Sequence, residues 1–368
     1  MATPFTGKQI LKAGEILRDT TVPMDSGDFD FALNALSFWR FTHEEPLNAA
    51  FQLLELKALK HDKNVILAKR LKRFYSIYLK LRRFPKMSLK NMQDIGGCRA
   101  VLSNEKKLRQ TARDLKKLPQ FRFDKGRTRF KDYIKNPKDD GYRGYHLIGK
   151  FPDSDGSCRS IEIQLRTNIQ HYWATALEIV DLFTGQALKS SLGSEDWKIF
   201  FLEVSKQLAV MDSIYRFESL PDTEKLAKYR EIASSNSDLL ESMKTVTQYT
   251  HKLEVVAKLA AFAESIEIVD EKLHGSPETG YALLRVDLRN NRLNSKLFAM
   301  DESEEAEHEY IQSEKEAVDD REVVVALVSS RALDGVREAY PNYFADSTEF
   351  AKCLAIIIST YTIVRLVR

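Results

Sequence analysis

The stretch Ser160-Ile161-Glu162-Ile163-Gln164-Leu165 alternates polar and apolar side chains residue by residue. A period of two belongs to a half-buried strand, because successive side chains on extended backbone point to opposite faces. Ile161, Ile163 and Leu165 then face a core, while Glu162, Gln164 and Arg166 share the other face. An acid on a largely buried strand costs free energy unless it is paired or bound to a metal. A chain with this strand must cover one sheet face with apolar packing and can put polar chemistry on the other.

The neighbouring segments supply the rest of such a sheet. Gly96–Leu102 and Tyr145–Phe151 suit strands, and Pro152-Asp-Ser-Asp-Gly156 suits a turn. Phe121–Arg129 suits a strand or extended loop. Lys106–Leu118 and Asn168–Phe183 suit helices. This order predicts an α+β fold with a mixed sheet flanked by helices. Phe29–Arg83 has apolar residues at helical spacing and predicts two or three helices. One begins near Pro46, and Pro85 ends the last. Met1–Asp28 has weak periodicity and predicts a flexible start. Glu195–Tyr215 and Asp222–Glu271 predict helical extensions.

Further on, Tyr281–Asp287 and Ser295–Ala299 flank Asn290-Asn291 as a hairpin. Val323–Val328 suits a strand, and Glu307–Ala317, Asp334–Ala339 and Ser347–Ile358 suit helices. The expected organisation is an N-terminal helical region (1–59), a central domain (60–185), a helical connector (186–274) and a small C-terminal α+β module (275–368).

Composition narrows the setting. The longest apolar stretch, Cys353–Val364, is interrupted by Ser359, Thr360 and Thr362 and is too short to span a bilayer. The N-terminus shows no hydrophobic signal region, so no membrane partner and a cytoplasmic location are expected. The cysteines Cys98, Cys158 and Cys353 have no zinc-ligand spacing. A net charge of +3 hides a basic stretch from Lys57 to Lys150 and an acidic one from Asp301 to Glu322. The basic stretch calls for an anionic ligand. No Walker A pattern is present, which excludes a P-loop kinase on motif grounds.

Four segments concentrate the chemistry. The first is Arg70-Leu-Lys72-Arg73-Phe-Tyr75-Ser-Ile-Tyr78-Leu-Lys80, expected as one helix. Two residues apart is not one helical face, so Arg70 and Lys72 would reach a ligand from adjacent rows. The second is Asp94-Ile-Gly-Gly-Cys-Arg99, whose acid sits at an otherwise apolar strand. The third runs from Lys131 through Asn136-Pro137-Lys138 and Gly141-Tyr142-Arg143-Gly144-Tyr145 to His146. The fourth is the strand with Glu162, Gln164 and Arg166, followed by His171-Tyr-Trp173. Asp94 and Glu162 suit Mg²⁺, which takes one or two protein carboxylates together with phosphate oxygens. Lys131 and Lys138 suit phosphate. Taken singly, a loop tyrosine such as Tyr142 is ordinary packing, and a helical residue such as His171 or Glu178 can be a packing edge.

In this order, the four segments resemble the synthetase domain of RelA/SpoT-type proteins, which moves pyrophosphate from ATP to a ribose 3′-hydroxyl. The resemblance implies a nucleotidyltransferase-like sheet and Mg²⁺ as cofactor. It implies metal and catalytic roles for Asp94 and Glu162, with Lys131 beside them. It implies ATP contacts from Arg70, which stacks on adenine, and from Lys72, Lys80 and Lys138. Tyr142 would stack the acceptor base, and His146, Gln164 and Arg166 would line the acceptor. The His-Asp hydrolase domain of the long family members is not expected, since His61-Asp62 stands without further acids.

The family's Gly-Tyr-x-Ser-x-His is Gly-Tyr-Arg-Gly-Tyr-His here, which leaves the acceptor open. GDP or GTP would give (p)ppGpp. The 3′ CCA end of tRNA would give a translation-blocking toxin restrained by the C-terminal module, as in CapRel-type proteins. A non-catalytic nucleotide sensor is the third reading. Tyr340-Pro-Asn-Tyr343 has the Tyr-x-x-Tyr form found in such a module and is a candidate regulatory element for a protein trigger. The oligomeric state is left open.

Overall fold

The computed structural model describes residues 5–23, 25–72, 74–153, 156–184, 194–260, 279–287, 292–299, 301–317, 323–329 and 343–367. The chain forms two compact units. One is Met1–Lys135 with Gly144–Arg166, and the other is Asn136–Arg143 with Thr167–Arg368. These units cut the chain at other places than the four segments expected from composition.

The first unit opens with α1 (Gly7–Arg18) where a flexible start was expected. Thr6 and Gln9 explain the helix: the Gln9 amide donates to the Thr6 hydroxyl, and the Thr6 amide donates to the Gln9 side chain. This reciprocal box satisfies two N–H groups that a helix start leaves open. Helices α2 (Gly27–Phe41) and α3 (Glu44–Leu59) follow. Pro46 lies in the first turn of α3, where its missing N–H costs nothing.

Strand β1 (Ile66–Leu71) and helix α4 (Phe74–Arg83) come next. Arg70 is therefore on a strand, Lys72 lies between strand and helix, and only Lys80 is helical. The expected single helix over these residues is corrected. After β2 (Gly96–Leu102) and α5 (Glu105–Lys116), two short 3-10 turns occupy 119–126. The extended segment expected there is confined to β3 (Arg129–Asp132). Strands β4 (Tyr145–Pro152) and β5 (Cys158–Thr167) complete a five-stranded sheet of order β1-β2-β5-β4-β3. The β1/β2, β4/β5 and β3/β4 seams are antiparallel.

One face of this sheet is apolar. Cys98, Ala100 and Leu102 of β2 and Ile161, Ile163 and Leu165 of β5 pack with α3 and α5 side chains such as Leu54 and Leu108. A second cluster joins α1, α2 and α4 through Ile10, Leu17, Leu36, Ile77 and Leu81. The expected α+β class holds, with helices packed on the sheet.

The second unit contains α6 (Asn168–Thr184), α7 (Glu195–Ser213), α8 (Asp222–Ser234) and α9 (Ser237–Lys252). A three-stranded antiparallel sheet of order β7-β6-β8 follows, from β6 (Thr279–Asp287), β7 (Arg292–Ala299) and β8 (Val323–Ser329). The expected hairpin is the β6–β7 pair. Helix α10 (Ser303–Ala317) packs on the face that carries Leu283 and Phe298. The chain's final helix, α11 (Tyr343–Val367), is longer than expected. Its Phe350, Leu354 and Ile357 enter the same core as Trp173 of α6, Phe201 of α7, Val246 of α9 and Leu284 of β6. The helix expected at Asp334–Ala339 lies outside the described residues. No helix among the described residues is long and apolar enough to cross a membrane.

Candidate active site

The strand registers of the first unit place the predicted polar residues on one sheet face. Leu67 and Leu71 of β1 pack with the apolar cluster, so Arg70 takes the other side. Arg70 pairs with Gly97, and Ala68 pairs with Arg99, which puts the buried Arg99 on the same polar face. In β5 that face carries Glu162, Gln164 and Arg166. In β4 it carries His146, which pairs with Gln164, and in β3 it carries Lys131, which pairs with His146. Two residues apart on a strand is one face. Arg70 therefore joins this row by extended geometry, with no need for adjacent helical rows.

Glu162 is held on both oxygens. The His146 ring bonds Oε1 through Nδ1 at 3.0 Å, and Gln164 Nε2 donates to Oε2 at 2.7 Å. Tyr133 meets the His146 ring edge-on at 5.2 Å. Burial works to raise the Glu162 carboxyl. The His146 charge and hydrogen bond, the Gln164 amide and the Lys80 charge outweigh it, and hold the carboxyl at about 2.

Asp94 lies just before β2. Its Oδ2 accepts from Lys80 Nζ at 2.7 Å and from Lys72 Nζ at 3.2 Å. Its Oδ1 is buried with no hydrogen-bond partner among the described residues. The Lys72 backbone N–H bonds the Ile95 carbonyl at 2.6 Å and ties β1's end to β2's start. Burial lowers the Lys72 ammonium; Asp94 opposes this, and the Lys80 and Arg70 charges add to it. Lys80 thus senses both carboxylates, Asp94 by contact and Glu162 by charge.

A buried carboxylate oxygen without a donor fits a hard cation, so Asp94 is the side chain best suited to hold Mg²⁺, with Glu162 as the second acid. No group of three or more His, Cys, Asp or Glu residues suited to a metal occurs among the described residues. Mg²⁺ at a nucleotide needs fewer protein ligands than that, because phosphate oxygens and water complete its shell.

Lys138 and Tyr142 belong to the second unit. Their loop is tightly folded: Gly141 N–H bonds Lys138 O at 2.9 Å, and Tyr142 N–H bonds Asp140 Oδ1 at 2.8 Å. The Lys138 ammonium lies 4.7 Å from the centre of the Tyr142 ring, a cation–π distance. On the same unit Trp173 meets Tyr142 at 6.3 Å and 63°. His171 is buried on α6, and its Nε2 lies 3.3 Å from Asp346 of α11. Tyr340 lies outside the described residues, and Tyr343 is the first residue of α11.

Residues 69–179 match the family model RelA_SpoT, the region found in RelA / SpoT proteins. Over these residues the chain is similar to the region found in RelA/SpoT proteins. Among them are Arg70, Lys72, Lys80, Asp94, Lys131, Lys138, Tyr142, His146, Glu162, Gln164 and Arg166. The chain is 34% identical over 116 residues to the GTP pyrophosphokinase YjbM of Bacillus subtilis, covering 29% of this chain and 51% of that protein. It is 31% identical over 133 residues to the probable chloroplastic GTP diphosphokinase RSH3 of Arabidopsis thaliana, covering 36% of this chain and 17% of that one. It therefore spans from about a sixth to about half the length of these relatives. Among solved structures, the small alarmone synthetase 1 from Bacillus subtilis aligns with a TM-score of 0.41 and 20% identity, over 55% of this chain and 100% of that one.

Two residues of the RelA/SpoT region gain weight only with the registers in hand. Arg99 was assigned no ligand role from sequence, yet the alternation Cys98-Arg99-Ala100 already puts it opposite the core. Tyr133 carries no such signal, because its contact with His146 depends on the β3–β4 pairing.

Proposed function

We propose that this protein is an ATP-dependent pyrophosphokinase that transfers the β,γ-diphosphate of ATP to the 3′-hydroxyl of GDP or GTP, giving (p)ppGpp. The observation that supports it most is the polar sheet face of the first unit. There a cation row, a clamped glutamate and an aspartate with one uncommitted oxygen stand over an apolar core. In the transfer, the acceptor's 3′-oxygen bonds to the β-phosphorus as the bond from that phosphorus to the α,β-bridging oxygen breaks, and AMP leaves. Such transfers are catalysed mainly by positioning and charge stabilisation.

Each residue then has a role. Arg70 stacks on adenine, which suits a planar guanidinium. Lys72, Lys80 and Lys138 bind phosphate oxygens, and in the absence of nucleotide Asp94 keeps the first two in place. Asp94 and Glu162 are the residues that would hold Mg²⁺, which would supply neutralisation of charge developing on the diphosphate. Glu162, ionised at neutral pH, accepts the hydrogen bond of the attacking hydroxyl, and His146 fixes its direction. Lys131 stabilises the transferring group. Tyr142 stacks the acceptor base, and Gln164 and Arg166 line the acceptor. No hydrolase role is proposed. The His61 ring bonds Asp114 at 3.0 Å, and Asp62 accepts from the Ser103 amide at 2.7 Å and from Lys107 at 2.9 Å, so both serve structural networks.

The test is an acceptor panel. The protein is incubated with Mg²⁺, γ-labelled ATP and either GDP, GTP or bulk tRNA. Label on GDP or GTP, absent with Asp94→Asn, is the expected result. Label on tRNA alone would replace the nucleotide acceptor by an RNA 3′ end. Label on none would leave a nucleotide sensor in place of an enzyme.

A further inference from the structure

Helix α7 lies wholly outside residues 69–179, yet it holds the loop that carries Tyr142. Ser205 is the point of contact, and it is buried. Its hydroxyl donates to the Gly141 carbonyl at 2.5 Å and accepts from Arg143 Nε at 3.2 Å. A single hydroxyl thus grips the residues immediately before and after Tyr142. Serine is suited to this because its one O–H donates while its lone pairs accept.

The surrounding geometry leaves the loop little choice. Gly141 has φ +88°, a conformation that L side chains rarely adopt. A Cβ there would lie 3.0 Å from Ser205 Cβ and 3.2 Å from the Leu202 Cα. The loop backbone therefore rests directly on α7. Beside the ring, Trp173 is itself fixed, since its Nε1 donates to the Phe201 carbonyl of α7 at 2.8 Å. One helix supports Tyr142 through its flanking residues and through its aromatic neighbour.

We propose that Ser205 is a positioning residue for the acceptor, setting the orientation of Tyr142 by holding the residues on both sides of it. The proposal rests on the reading of Tyr142 as the platform for the acceptor base. It extends the acceptor machinery to a helix beyond the RelA/SpoT region.

The test uses the full chain with Ser205→Ala and Ser205→Thr, the second keeping the hydroxyl. In Ser205→Ala, KM for GDP rises about tenfold while KM for ATP, which Lys138 of the same loop contacts, rises clearly less. Ser205→Thr recovers at least part of that loss. Without any ligand, hydrogen exchange at the Gly141 and Tyr142 amides speeds up in Ser205→Ala while the α7 amides keep their protection. Unchanged exchange at 141–142 would overturn the clamp. Faster exchange with an unchanged KM for GDP would overturn the positioning role, as would an equal rise in both KM values with lost α7 protection. Failure of the wild type to bind or use GDP would instead remove the acceptor reading on which the role depends, whatever the exchange shows.

Discussion

At Asp94 one carboxylate oxygen holds two ammonium groups, and the other is buried with no donor among the described residues. Asp94→Asn removes the charge that keeps Lys72 and Lys80 together and takes away a hard-cation ligand. Turnover is expected to fall at least about 100-fold, with a higher Mg²⁺ requirement; steady-state rates over a Mg²⁺ series check it. Glu162 makes a different prediction. Its carboxyl ordinarily titrates at 4.5 and is held at about 2 in the fold. Between those values the unfolded chain binds a proton that the folded chain does not, so acid favours unfolding there. The stabilisation is fully present above pH 4.5 and is lost as pH falls toward 2, amounting to at most about 3 kcal/mol. Denaturant titrations of wild type and Glu162→Gln across that window should converge as pH falls, and a pH-independent difference would contradict the His146 clamp. Glu162 and its polar neighbours were legible in the sequence, because alternation in β5 fixes a face without any tertiary information. The orphan oxygen of Asp94 was not legible, since burial of a single atom depends on α4 and β2 meeting.

Strand β1 shows where the element scale resists sequence reading. Ile66-Leu-Ala-Lys-Arg-Leu71 has helix-forming residues and no clean alternation, and it lies between helical segments. Its core-facing row includes Lys69, whose ammonium sits 5.2 Å over the Phe51 ring, so polar residues occupy both faces. Tertiary pairing with β2 overrode local propensity. The start of the chain failed in the opposite sense: α1 depends on the Thr6–Gln9 box, a short signal easily passed over when periodicity is weak. The loop 136–143 carries the element-scale prediction. Gly141→Ala forces a Cβ against the α7 backbone at positive φ, at a cost of about 1–3 kcal/mol. A lowered midpoint in thermal unfolding and a raised KM for the acceptor are expected. A wild-type midpoint and KM would show that the loop does not rest on α7.

At the scale of the whole molecule, the second unit does not separate into a connector and a detachable end. Phe350, Leu354 and Ile357 of α11 are fully buried in the core that also holds Trp173 and Phe201. Burying three such side chains is worth about 5–9 kcal/mol, comparable with the net stability of an ordinary domain. A chain ending at residue 342 is therefore expected to lose cooperative folding of the second unit, seen as a lost or strongly lowered calorimetric transition, and to lose activity. A truncated chain that stays folded with higher activity would favour a C-terminal restraint instead. The hairpin, β8 and the helices now seen as α10 and α11 were legible from local patterns. The shared core was not, because nothing in local periodicity says that α6 and α11, far apart in sequence, pack together.

The chemistry itself is the claim most open to a direct check. With α-labelled ATP, GDP and Mg²⁺, the products are followed by chromatography while the 3′-modified nucleotide is quantified. Transfer of an intact diphosphate predicts one AMP for each guanine nucleotide modified, no ADP, and loss of both products together in Glu162→Gln. Formation of ADP with a singly phosphorylated acceptor, or AMP released without any modified acceptor, would contradict it.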